Sequence, residues 1–357
     1  MRKGQNKLSY SVVDLFCGIG GLSHGFVKEK FNVVAGIDFD KSCEYAYEKN
    51  NNTKFIHADL TKYSSKEIKK LFPKKSVKIL VGCAPCQAFS TYTQGKKRND
   101  KWKLLYSFGN IIWDIKPDIV SMENVPNLLK YKNGIVFQDF LSVLYANNYS
   151  VDFKVIDAKN YGVPQRRKRL ILIASRIGHI AIPKKTHYKK RLITVRKAIG
   201  KLPEIKHGEI HPNDKLHRAR KLSPLNVRRI RATPQGGGWN DWKDKTLLLD
   251  CHKKESGKSY RSVYGRMKWD DVAPTLTTQC TGLGNGRYGH PEQDRAISLR
   301  ESSILQSFPK KYKFIDPKGN FNPSIIEQHV GNAVPVKLGK AIAKNIKKHL
   351  QENAWGK

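Results

Sequence analysis

Tyr10 to Phe16 is an apolar run that reads as a strand, and Cys17-Gly18-Ile19-Gly20-Gly21-Leu22-Ser23 is a glycine turn into a helix that extends to about Lys30. Strand, glycine turn and helix in that order open a nucleotide-binding βαβ unit, which restricts the chain to folds built on a parallel sheet. The glycines do not spell G-x-G-x-x-G, because Ser23 takes the last place, so a dinucleotide is not specifically indicated. A second strand, Asn32 to Ile37, ends in Asp38-Phe39-Asp40 about 20 residues beyond the glycines. A carboxylate there is placed to accept hydrogen bonds from ribose hydroxyls, and Phe39 is placed to stack on an adenine. A helix near Lys41 to Lys49 and a short strand, Lys54 to His57, then lead to Asp59-Leu60. Three strand ends thus offer Gly18 to Gly21, Asp38 and Asp59. No basic residue accompanies the glycine turn, so the expected ligand contains adenosine without a large phosphate demand.

The fourth strand, Val77 to Val81, runs into Gly82-Cys83-Ala84-Pro85-Cys86-Gln87-Ala88-Phe89-Ser90. A cysteine is thereby placed where a strand ends and a loop begins, the position at which open α/β sheets gather reacting groups. Pro85 fixes φ just before Cys86 and stiffens the turn. Cys86 is the expected nucleophile, and the polar loop Ala88 to Lys101 is a candidate lid. Two plainer readings stand beside it: a buried thiol acting as a small hydrophobe, and a redox pair with Cys83 in the C-x-x-C spacing. Zinc would need two more ligands at suitable spacing, and Cys251 and Cys280 have no second C-x-x-C between them, so no metal is expected.

Lys103 to Ile115 reads as a helix stopped by Lys116-Pro117, and Asp118 to Met122 as a fifth strand with Glu123-Asn124-Val125-Pro126 at its end. Glu123 is either a reacting carboxylate beside Cys86 or a helix N-terminal charge. Tyr149 to Ile156 and Leu170 to Ala174 read as a hairpin-like pair around Gly162-Val163-Pro164-Gln165-Arg166-Arg167-Lys168-Arg169. Strand alternation would turn one or two of these arginines into the cleft; the alternative is a solvated basic turn.

From about Arg176 periodicity fades and Pro, Gly, His and Lys/Arg dominate, with Trp239, Trp242, Tyr260, Tyr264 and Trp269 interleaved, a composition suited to phosphates and base edges. Regular structure returns with Ser298 to Gln306 and a final helix from about Pro335 to Leu350. The 357 residues can hold one large domain and a smaller one, and their formal charge of +37 implies a polyanionic partner, most plausibly nucleic acid, even though richness in Lys and Asn contributes to it. Six cysteines, no signal peptide and no apolar run of about 20 residues lead to an expected reducing, cytoplasmic setting at the nucleoid, without a membrane partner.

Taken in order, Asp14-Leu15-Phe16-Cys17-Gly18-Ile19-Gly20-Gly21, Pro85-Cys86-Gln87, Glu123-Asn124-Val125, Gln165-Arg166-Arg167-Lys168-Arg169, Arg300-Glu301 leading to Gln306-Ser307-Phe308-Pro309, and Gly331-Asn332-Ala333-Val334 make the chain resemble the bacterial DNA cytosine-5 methyltransferases over nearly its whole length. The resemblance implies an α/β, Rossmann-like mixed sheet with helices on both faces, plus a smaller loop-rich target recognition domain. It implies residues 1–175 as catalytic and cofactor-binding domain, 176–294 as target recognition domain, 295–330 as junction, and 331–357 as a helix returning to the first domain. Phe16, Gly18, Gly21, Asp38, Phe39, Asp59 and Leu60 would hold S-adenosylmethionine, with Pro85, Leu104, Asn332 and Ala333 closing the pocket. Asp38 stands where glutamate is commoner, a shorter reach to the ribose. Cys86 would add to carbon 6 of a flipped cytosine, Glu123 would bind ring nitrogen 3 and the exocyclic amine, and Arg167 with Arg169 would hold the base carbonyl and nearby phosphate. The partner implied is double-stranded DNA, methylated by a monomer that can accompany a restriction endonuclease without stable contact. An RNA cytosine-5 methyltransferase, a non-catalytic DNA-binding protein on the same scaffold, and a C-x-x-C oxidoreductase are the competing expectations.

Overall fold

The computed structural model describes residues 9–85, 102–255, 257 and 260–353. Its framework is set by strands that are apolar on both sides, as strands covered by helices on both faces must be. They are β1 (Ser9–Leu15), β2 (Asn32–Asp38), β3 (Lys54–His57), β4 (Ser76–Gly82), β5 (Ile119–Asn124), β6 (Ser150–Asp157) and β7 (Lys168–Ser175). They form one seven-stranded sheet in the order β3-β2-β1-β4-β5-β7-β6. The first five are parallel, and β7 runs antiparallel between β5 and β6.

Helices α1 (Gly21–Lys28), α2 (Glu44–Asn51), α3 (Ser65–Lys70), α4 (Lys103–Ile115) and α5 (Ile135–Ala146) follow strands β1 to β5 in turn. Period-two alternation divides the core. Leu170, Leu172 and Ala174 of β7 face Phe108 and Ile112 of α4 and Phe137 and Phe140 of α5, whereas Ile171 and Ile173 face the opposite layer. Helix α5 is not among the elements expected from the sequence, although its buried Val136, Phe137, Phe140, Leu141 and Leu144 recur at helical spacing. It also ended the fifth strand at Met122. The strand continues because β7 extends the ladder, pairing Glu123 with Ile171 and Asn124 with Leu170.

Beyond β7 lie α6 (Val195–Ile199), α7 (Pro224–Ala232), α8 (Asp250–Lys253), α9 (Leu299–Leu305), α10 (Pro323–Asn332) and α11 (Val336–Asn353). Among the described residues, 176–294 contribute no strand to the sheet. With so little backbone pairing, this stretch needs side chains for a core, and it uses its aromatics. Trp239, Trp242 and Leu247 pack together, His252 stacks on Trp239 at 4.3 Å between centroids, and Trp269 is buried with Met267 and Tyr288. The expectation that these rings meet phosphates and bases is corrected for Trp239, Trp242 and Trp269, which are buried; Tyr260 is exposed. At the start of α9, Arg295 and Glu301 form a buried bidentate pair at 2.7 and 2.8 Å. Burial by itself would raise the Glu301 carboxyl, but hydrogen bonds from Arg295 and its charge hold it down at about 2.

Helix α11 lies against α1, where glycine lets two backbones meet. A Cβ on Gly25 would sit 2.4 Å from the Gly339 carbonyl carbon and the Lys340 nitrogen, contacts that no rotamer can relieve. Gly25→Ala is expected to lower unfolding free energy by about 1–3 kcal/mol. A fall in the urea midpoint at unchanged slope would register it, and an unchanged midpoint would show that the helices separate freely. No helix among the described residues is long and apolar enough to cross a membrane.

Candidate active site

The ends of β1, β2, β3 and β4 surround a cavity of about 590 Å³, within the range of small-molecule sites. Of the residues expected there, Phe16, Gly18, Asp38, Phe39, Asp59, Leu60, Pro85, Leu104, Asn332 and Ala333 line it. Gly21 does not. It sits where α1 begins, and a Cβ on it would lie 2.2 Å from the Val334 carbonyl oxygen, so its absent side chain lets the segment after α10 close over the turn. Phe16 and Gly18 adopt left-handed φ of 57° and 50°, which folds the turn back under the cavity.

Asp38 ties that turn to β2: Oδ2 accepts the Gly18 N–H at 2.8 Å and Oδ1 the Asp40 N–H at 2.9 Å. Burial raises its pKa, with both backbone donors opposing. Asp59 is drawn the other way, because the Thr61 N–H and hydroxyl both donate to Oδ1 and stabilise the charged form. Phe39 leaves its ring 72% exposed at the cavity rim, a platform for a flat ligand. On the cavity floor, burial lifts Asp14 to about 7, although Ser23 donates to it at 2.6 Å.

The lining holds four aspartates, Asp14, Asp38, Asp40 and Asp59, and no lysine or arginine among the described residues. In a chain of net charge +37 that inversion is specific. Apolar walls with carboxylates and no phosphate-binding cation fit a positively charged, ribose-bearing ligand such as S-adenosylmethionine. Asp40, Cys43, Thr61, Gln328 and His329 also line the cavity and were not singled out from the sequence as lining residues. Gln328 and His329 reach it from α10, some 290 residues from β2, so no local pattern could have found them.

Cys86 and the loop Ala88 to Lys101 lie outside the described residues. Gly82 pairs with Met122, so the next residues, Cys83 and Glu123, lie side by side, and the Cys83 thiol donates to Glu123 Oε2 at 2.8 Å. Arg169 lies two residues from Ile171, the register partner of Glu123, so both side chains project from one face and Arg169 Nε reaches Oε1 at 3.0 Å. Asn124 completes the frame: Nδ2 donates to the Ala84 carbonyl at 3.1 Å and Oδ1 accepts the Val125 N–H at 2.8 Å, pinning the turn into Pro85. The buried Glu123 carboxylate is thus oriented from both oxygens. Arg167 goes elsewhere. Its guanidinium donates to the carbonyls of Leu276 and Gly331, both at 2.9 Å, at the seam joining β7, α10 and the segment before α9.

Residues 10–348 match the family model described as C-5 cytosine-specific DNA methylase. The type II methylase M.HgiDII of Herpetosiphon aurantiacus is 50% identical over 341 residues, covering 96% of both chains. The type II methyltransferase M.Sau96I of Staphylococcus aureus is 28% identical, covering 96% of this chain and 77% of that one. A crystal structure described as a DNA modification methyltransferase of an E. coli prophage shares the fold with a TM-score of 0.73 at 20% identity, covering 96% of this chain and all of the other.

Proposed function

Since the chain belongs to the C-5 cytosine-specific DNA methylase family, and is therefore an S-adenosylmethionine-dependent DNA (cytosine-5-)-methyltransferase, we propose that it methylates carbon 5 of cytosine within a specific duplex sequence through a covalent Cys86 adduct. The observation that carries this reading is the Glu123 carboxylate, held by Cys83 and Arg169 at the strand ends beside Pro85 and next to the acidic cavity.

Carbon 5 of cytosine is a poor nucleophile until something adds to carbon 6. A thiolate suits that step because it adds readily and leaves again. Cys86 forms the carbon 6–sulfur bond, and the electron pair moves through the ring toward carbon 5. Glu123 hydrogen-bonds ring nitrogen 3 and the exocyclic amine, with a proton on the carboxyl or the base. Arg169, which already contacts the Glu123 carboxylate, would hold the base carbonyl, whereas Arg167, committed to the Leu276 and Gly331 carbonyls, would support the pocket from behind rather than meet the phosphate. Asp38, Phe39 and Asp59 would hold the adenosine part of the cofactor, which when bound supplies an electrophilic methyl group. Loss of the carbon 5 proton and breakage of the carbon 6–sulfur bond then return the thiolate.

Duplex stacking hides carbon 6, so the base is flipped out of the helix to reach the thiol. Residues 176–294 act as the target recognition domain, 295–330 as junction, and 331–357 as the return to the catalytic domain. The protein acts at the nucleoid as a monomer, in the manner of a restriction-modification enzyme whose endonuclease makes no stable contact with it.

Bisulfite sequencing of DNA from a host expressing the chain tests the reading, with purified tRNA and duplex DNA compared as methyl acceptors. Protected cytosines in one recurrent duplex sequence are the expected result; methylation confined to tRNA would overturn it. Phe39→Ala is expected to weaken S-adenosylmethionine binding about tenfold, the equivalent of one lost aromatic contact, in calorimetric titration.

A further inference from the structure

We propose that Asp40, Cys43 and His329 form a binding site for one zinc-class divalent cation on the wall of the cofactor cavity. Asp40 and Cys43 come from the single turn that follows β2, and His329 comes from α10. One donor atom from each lies within 4.8 Å of the others, and among the described residues no further such Asp, Cys, Glu or His group occurs.

The two separations from His329 Nε2 are near those of a tetrahedral coordination sphere, and the third lies within 4.8 Å. Around a tetrahedral zinc, with Zn–N of about 2.0 Å and Zn–S of about 2.3 Å, nitrogen and sulfur stand about 3.5 Å apart. His329 Nε2 stands 3.5 Å from Cys43 Sγ. The same nitrogen is 3.0 Å from Asp40 Oδ2, a hydrogen bond that a metal would open by about 0.4 Å to reach the tetrahedral separation. The Ser42 hydroxyl, 3.1 Å from Nε2 and 2.5 Å from Asp40 Oδ1, or a water from the cavity completes the set.

The donors are those of a soft or borderline cation: one thiol, one imidazole and one carboxylate. Cys43 and His329 are buried, so neither is a mobile surface group. The lysine- and arginine-free wall leaves Asp38 beside them, in a chain otherwise so basic that it repels cations. A bare histidine–aspartate hydrogen bond would not call for the thiol at ligand distance from the same nitrogen. On binding, the Cys43 thiol gives its proton to the buffer and its sulfur to the metal.

Titrating chelator-stripped, full-length protein with cobalt(II) tests this without cofactor or DNA. One cobalt per chain with a thiolate-to-cobalt charge-transfer band is expected. Cys43→Ser is expected to abolish the band and weaken binding at least about a hundredfold, and His329→Gln, which retains a side chain able to bond Asp40, to weaken it similarly. Cys251→Ser, which removes an exposed thiol, is expected to change neither. Absence of the band in the parent protein, or its persistence in Cys43→Ser with unchanged affinity, would overturn the assignment. Circular dichroism on each variant separates lost binding from lost folding.

Discussion

Cys86→Ala is expected to lower the rate of methyl transfer to duplex DNA by a factor on the order of 10⁴ or more, while S-adenosylmethionine binding stays within about twofold of the parent protein. Without addition to carbon 6 there is no enamine-like carbon 5 to methylate. The cofactor cavity is built mainly from the ends of β1, β2 and β3 and the end of α10, and it does not need the thiol. Cys83→Ser keeps a donor for Glu123 and is expected to spare most activity; a redox pair would lose activity on either substitution. A duplex carrying 5-fluorocytosine at the recognised site sharpens the test. Fluorine leaves no proton to lose from carbon 5, so the sulfur–carbon bond persists and peptide mapping identifies the residue. An adduct on Cys83, or none on a duplex the enzyme methylates, would refute the proposed chemistry.

Glu123→Gln carries the second large effect, a loss of about 10²–10⁴ in kcat with the fold retained. Glutamine keeps the shape and can still accept from Cys83 or Arg169, but it cannot carry the charge or move the proton that nitrogen 3 of the base requires. Glu123→Ala is the less informative variant. It leaves the Arg169 guanidinium, only 12% exposed, facing an empty space, and breaking a buried pair this way costs about 3–5 kcal/mol. Single-turnover methylation with saturating cofactor separates the chemical step from binding. A glutamine variant retaining more than a tenth of the parent rate would remove Glu123 from the mechanism, whatever its contacts.

Arg169 and Arg167 show how far sequence reasoning reaches. Both stand in one short run, and alternation was expected to turn one or two of that group inward. Which residue lies where depends on β7 meeting β5 with Ile171 opposite Glu123, a register set by two strands some 50 residues apart. That register brings Arg169 onto the Glu123 carboxylate and leaves Arg167 to the carbonyls of Leu276 and Gly331. The Cys83 thiol reads in sequence as half of a C-x-x-C; β4 pairing with β5 makes it a donor to Glu123. The tryptophans of the basic stretch misled for a related reason. Composition records that aromatic rings are present but not which face they show, and a segment without sheet pairing buries them to hold itself together.

By itself the sequence determined the strands, most of the helices and the cavity's glycine turn, Asp38, Phe39 and Asp59 at strand ends; Pro85, Leu104, Asn332 and Ala333 came only through the resemblance to a family. Those features depend on neighbours a few positions apart: an apolar run, a glycine that tolerates positive φ, a carboxylate just past a strand. Only the tertiary structure decided which arginine meets Glu123, that α10 supplies Gln328 and His329 to a wall begun by β2, and that this wall is acidic within a strongly basic chain. These are contacts between segments up to about 290 residues apart, fixed by strand register and helix packing, and no local period in the chain encodes them.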